Sequence, residues 1–196
     1  MHNGQPVEVE HDRVPFELYQ YGFGLVTPIN VTFAQDGSYS HLLFNGDYKL
    51  VVRPGQGPFL WPQTGGKSDS LSIVMSGNKE LDIEVTPYYM IRSPQISSAN
   101  NKVSATFNLE KIITDANGKN IENVNLYINK TAFVSASDNI GRTEIAGVDL
   151  QSMNNISLSV DIPNITPTQN YVFARIGVKM VDVEDRIFSS VVKLEY

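Results

Sequence analysis

The sequence predicts an all-β chain built as two β-sandwich domains in tandem. Apolar residues alternate with period two through most of the chain, turn dipeptides separate the alternating runs, and no stretch holds helical periodicity over an ordinary helix length. Val14, Phe16 and Leu18 share one face of the first run, and Tyr48, Leu50 and Val52 share one face of another. Leu71, Ile73 and Met75 repeat the pattern. So do Leu81, Ile83 and Val85, with Asp82 and Glu84 facing out, which predicts half-buried antiparallel strands. Asp36-Gly37, Asn45-Gly46 and Ser76-Gly77-Asn78 supply the turns between them.

The texture changes near residues 87–98. Pro87 and Pro94 interrupt the ladder, and residues 94–101 are polar and loose. This places a boundary between a first domain at 1–92 and a second at 93–196. In the second, 102–113 alternates Val103, Ala105, Phe107 and Leu109, and Val124, Leu126 and Ile128 form the next face. Runs at 143–148 and 156–162 follow. Residues 171–181 put Val172, Ala174, Ile176, Val178 and Met180 on one side, and 187–194 closes the set. Such a series of short strands in about 100 residues fits an immunoglobulin or fibronectin-III-like sandwich.

Composition narrows the function. The chain has 196 residues, 41% of them hydrophobic, which suffices for a packed core. Its 15 basic against 21 acidic residues leave −6, which argues against nucleic acid and anionic membrane surfaces as partners. With no cysteine there is no disulfide, thiol nucleophile or thiolate metal site. No run reaches the apolar length of a membrane span, and the first residues lack the basic start and apolar stretch of a signal peptide.

Catalytic groups are scarce. His2 falls in a terminus expected to be loose, and His11 in a charged turn. Ser40 and His41 are neighbours on one strand and point to opposite faces, so they cannot act as nucleophile and base. Asp115-Ala116-Asn117-Gly118 lacks the order of a calcium loop and reads as a turn. Asp182, Glu184 and Asp185 read as exposed hairpin charge. Gly55-Gln56-Gly57 lacks the Lys-Ser/Thr ending of a phosphate loop. We therefore expect no catalytic residue, no metal and no cofactor.

The loop from Arg53 to Pro62 stands apart. Its prolines and glycines stop the ladder, yet it holds Phe59 and the only tryptophan, Trp61. Two readings are open. In one, the rings are displayed beyond the sheet end and stack on the C–H face of a pyranose. Arg53 and Gln63 then bond hydroxyls, and Tyr19 and Tyr21 are secondary contacts on or beyond their strand's outward face. In the other, the rings cap the first sandwich or pack against Tyr88 and Tyr89 between the domains.

Four segments, "QDGSYS", "LFNGDYKL", "GQGPF" and "EVTPYY", resemble a two-domain family of unknown function from gut Bacteroidetes. The first domain resembles the prealbumin-like, or carboxypeptidase-regulatory-like, sandwich. "NYVFARIGVKMVD" and "IFSSVVKLEY" resemble the last two strands of an immunoglobulin-like second domain. The likeness covers nearly the whole chain and is more specific in the first domain. It implies an outer-membrane lipoprotein encoded beside starch-utilisation-type glycan uptake systems. It further implies a non-catalytic, cell-surface role in binding polysaccharide or oligosaccharide, with outer-membrane uptake proteins as partners. Membrane contact would run only through a lipid anchor that this sequence lacks, so a soluble mature fragment is expected. The Gly-X-Val strand with which the prealbumin-like fold usually begins is also absent before Asn3-Gly4-Gln5-Pro6-Val7, which puts that sheet edge in question. The competing class is a spacer or docking subunit with no small ligand.

Overall fold

The computed structural model describes residues 1–22 and 24–196. In the first domain, strands β1 (Pro15–Gln20), β2 (Pro28–Thr32), β3 (Gly46–Val51) and β7 (Leu71–Met75) form an antiparallel sheet in the order β2-β1-β3-β7. Two short ribbons complete its ladders. One joins β4 (Phe59–Leu60) to β8 (Thr86–Pro87), and the other joins β5 (Gln63–Thr64) to β6 (Lys67–Ser68). Period-two alternation sends Phe16, Leu18, Tyr48, Leu50 and Ile73 inward, where all five are buried.

The layer facing this sheet is irregular. Residues 33–43 and 79–85 bring in Phe33, Tyr39, Leu43, Leu81, Ile83 and Val85 without pairing as strands. The strand expected over 81–85 is corrected here. Its burial alternates as the sequence predicts, but its backbone partner is the chain start, where the Val85 N–H donates to the Met1 carbonyl at 2.8 Å. The His2 ring nitrogen lies 3.1 Å from the Val85 carbonyl, so His2 is anchored rather than loose. Between sheet and irregular layer lies a cavity of about 540 Å³.

The second domain comprises β9 (Tyr89–Ala99), β10 (Lys102–Lys111), β11 (Ile121–Asn129), β12 (Gly141–Ala146), β13 (Ile156–Asp161), β14 (Tyr171–Met180), β15 (Arg186–Phe188) and β16 (Val192–Glu195). A β13-β10-β9 sheet faces a β12-β11-β14-β15 sheet, with β16 also paired to β14. The expected inward sets of β10, β11 and β14 are all buried.

The polar stretch at 94–101 is not a linker. Most of it belongs to β9, which pairs with β10 from Tyr89 to Ala99, so the boundary expected at 92/93 falls inside a strand. Ile91 and Ile96 supply its core contacts, and Pro94 sits on an edge strand at a break in register, where a missing N–H does no harm.

The closing strand expected over 187–194 is split, and Arg175 is the reason. This residue faces away from the second core, yet it is fully buried under the first domain. Its Nε donates to the Ser189 carbonyl at 2.6 Å and its Nη1 to the Val9 carbonyl at 3.1 Å. Its Nη2 donates to Glu8 Oε2 at 3.2 Å and to the Gln35 carbonyl. The guanidinium also lies 4.3 Å from the Phe188 ring centroid. Turning the Ser189 carbonyl to Arg175 interrupts the edge strand, and Ser189 Oγ accepts the Ile176 N–H at 3.0 Å in its place.

Further bonds tie the domains together. The Phe188 N–H donates to the Glu8 carbonyl at 3.0 Å, Ser137 Oγ to Glu10 Oε1 at 2.7 Å, and Gln35 Nε2 to the Ala132 carbonyl at 2.9 Å. The Gly57 N–H donates to Asp185 Oδ2 at 2.8 Å, so Asp185 is a buried docking residue rather than exposed hairpin charge. Burial lowers the Arg175 pKa to about 10 and raises that of Glu8, in each case against the pull of its partner. Arg175 is therefore still a cation at neutral pH, and desolvation outweighs attraction on both sides. The pair acts as a specificity device whose rupture is expensive. Arg175→Met leaves buried Glu8 with its Ser190 hydrogen bond but no cation, removes the donor from three carbonyl oxygens, and should cost about 3–5 kcal/mol in urea denaturation. A loss below about 1 kcal/mol, the range of an exposed pair, would contradict this account.

Candidate functional site

The loop at 53–62 does not project. The Pro58 carbonyl accepts the Tyr88 N–H at 3.1 Å, Gly57 bonds Asp185, and Phe59 pairs opposite Pro87. Gly57 has φ +81°, and a Cβ there would fall 2.5 Å from Phe59 Cζ, so glycine lets the ring fold back onto the loop. Phe59 and Trp61 are 7% and 9% exposed, and Trp61 Nε1 donates to the Asp69 carbonyl at 2.7 Å. The exposed-platform reading is thereby corrected for these two residues. They line the cavity of the first domain.

That cavity is poorly suited to a sugar. Its buried walls, including Val9, Leu18, Val52 and Ile83 with the two rings, are apolar. Sugar hydroxyls against those walls would lose water without finding partners, because the polar residues of the lining, Asp36, Ser38, Ser40, His41, Lys79, Glu80 and Asp82, are all exposed ones away from the buried wall.

The outward face of the first sheet offers a different arrangement. Register places Glu17 opposite Asn30 and Val51, and Tyr19 opposite Pro28 and Lys49. Tyr21 follows β1 and is 44% exposed, and its N–H donates to the Asp47 carbonyl at 3.0 Å. The Tyr19 hydroxyl donates to Glu17 Oε2 at 2.9 Å, and Arg53 Nη2 donates to Glu17 Oε1. The Glu17 side chain is only 8% exposed beneath these two, while that of Arg53 is 68% exposed. The Arg53 hydrogen bond holds the Glu17 carboxyl below its ordinary pKa, and bonding to Glu17 raises that of Tyr19. Glu17 thus orients an exposed guanidinium and a phenol ring on one surface.

Of the six candidates from the sequence, this face gathers Tyr19, Tyr21 and Arg53. Gln63 is exposed on the β5–β6 ribbon, and Phe59 and Trp61 lie inside. Sequence reasoning missed Glu17 and Lys49. Both lie on the outward phase of their strands; Glu17 stands two residues before Tyr19 on β1, and only the β1–β3 register brings Lys49 beside Tyr19 and Arg53 to Glu17. Among the described residues no cluster of three or more His, Asp or Glu is placed to hold a metal ion.

The family model for the N-terminal domain of DUF3823, a protein of unknown function, matches residues 1–86. The model for DUF3823_C, a domain of unknown function, matches residues 89–193. The chain belongs to the DUF3823 family. The two matched regions meet at the step from β8 to β9. A DUF3823 protein from Bacteroides ovatus is 30% identical with a TM-score of 0.87, over 100% of this chain and 95% of that one. Another, from Parabacteroides merdae, is 32% identical with a TM-score of 0.85, over 100% and 94%. A third structure, from Bacteroides uniformis, is 18% identical with a TM-score of 0.75, over 99% and 93%, and shares the fold. No curated protein matches the chain.

Trp61→Ala should cost roughly 3–5 kcal/mol of stability, and wild-type tryptophan fluorescence should resist iodide quenching. Free quenching would place the ring in water. Because the Glu17 pKa is depressed from its ordinary 4.5, its contribution is present above that value and lost as pH falls through the lower folded value. Glu17→Gln should therefore lower stability at pH 7 by up to about 1 kcal/mol, with the difference closing in acid unfolding curves below 4.5. A gap that persists at the acid end would refute this.

Proposed function

We propose that this protein is a non-catalytic, glycan-binding accessory protein of the cell surface, serving a polysaccharide uptake system as an anchored outer-membrane lipoprotein. The sugar meets the outward face of the first sheet. The observation that carries this reading is the grouping of exposed Tyr21, Tyr19 and the Glu17-braced Arg53 on one surface. A ring stacks on the C–H face of a pyranose, while fixed donors at the rim bond its hydroxyls. The fold is shared with a Bacteroides uniformis protein described as a "putative carbohydrate binding protein", and that description supports the reading here.

A spacer or docking subunit without a small ligand is the second reading. The buried interlock around Arg175 favours it, since it ties the two domains to one another.

A glycan array followed by affinity electrophoresis tests the first reading. Wild-type protein should bind at least one polysaccharide. Tyr21→Ala should weaken that binding about tenfold or more, equivalent to roughly 1.4 kcal/mol, with Tm unchanged. Binding to nothing across a broad panel, or binding indifferent to Tyr21→Ala, would overturn the first reading and leave the second.

A further inference from the structure

We propose that the sugar recognised on this face is acidic, a uronic acid or similarly carboxylated residue whose carboxylate pairs with Lys49. The inference rests on the glycan reading above and names the ligand class for that site.

The charges of the face lead to it. Lys49 is exposed on β3, opposite Tyr19 on one side and Ser72 on the other, neither of them charged. Among the described residues no carboxylate lies within 4.0 Å of its ammonium, which sits 5.8 Å from the centroid of the Tyr21 ring. Arg53 is the second cation here. It spends one nitrogen on Glu17, and most of its side chain faces solvent. Glu17 neutralises Arg53, to which it is paired, and Asp47 stands exposed two residues along β3 from Lys49 without an ion pair to it, so Lys49 is the cation of this face that has no carboxylate in contact. The ammonium lies over the Tyr21 ring, so a ligand that approaches this face of the ring meets a cation with no carboxylate in contact.

Sugar chemistry supplies the complement. In a uronic acid the carboxylate hangs at the ring edge, while the C–H face is free to stack. One sugar can then take the Tyr21 face while the exposed Lys49 side chain swings from over the ring to the carboxylate at the sugar's edge. The chain's net charge of −6 opposes a polyanion at long range. That repulsion is largely screened beyond about 8 Å at physiological salt, whereas a contact pair at Lys49 is not.

The test measures dissociation constants for polygalacturonate, alginate and chondroitin, each against its carboxyl-reduced form, at low and high salt. At least one acidic polymer should bind about tenfold tighter than its reduced form, with the ratio shrinking as salt rises. Lys49→Gln should bring that ratio close to one. Equal binding of acidic and reduced forms, binding only to neutral glycans, or a preference that survives Lys49→Gln would overturn the acidic assignment while leaving the glycan reading intact. Binding to none of these polymers and to no neutral glycan would remove both.

Discussion

The structure depends on one buried cation. Arg175 lies on the side of β14 that ordinarily faces water, and the first domain covers it completely. A guanidinium in that position must bond nearly every donor it has. It does so with carbonyls from both domains and with Glu8. This demand accounts for the break between β15 and β16. It also accompanies the burial of Asn125, Tyr127 and Asn129 on the same face of β11. Gly177, beside Arg175 on that surface, has no room for a side chain, since a Cβ would fall 2.9 Å from both Tyr127 and Phe188.

The interlock also decides where binding can occur. The Gly/Pro loop is drawn towards the second domain by Gly57 and Asp185, which turns Phe59 and Trp61 inward. Their rings complete an apolar wall and are unavailable as a platform. The first sheet's outward face is left for contact, and there a salt-bridged Glu17 holds Tyr19 and Arg53 in place.

Much of the fold was legible in the sequence because a sheet with one dry face writes its burial as alternation. Tyr48, Leu50 and Val52, or Val172 to Met180, needed no further information. Arg175 was illegible for the same reason. Its position in the alternation predicts solvent, and nothing local announces that another domain will cover it. The segment at 94–101 misled because an edge strand with one exposed face tolerates serine, glutamine and even proline. Residues 81–85 alternate correctly but find Met1 as backbone partner, a pairing fixed by tertiary placement rather than by propensity. At the site, the aromatic residues could be found by type. Glu17's bond to Arg53 and the place of Lys49 beside Tyr19 required the register between strands that are 28 residues apart in sequence or more, as Leu18 and Leu50 are.

A single hydrophobic cluster runs from Val7 in the first domain to Ile187 in the second, and the Arg175 clamp sits across the junction. The two domains therefore unfold together. Scanning calorimetry of the intact chain tests this most directly. It should give one endotherm whose calorimetric and van't Hoff enthalpies agree. Two separable transitions, with the second domain melting independently of the first, would contradict it.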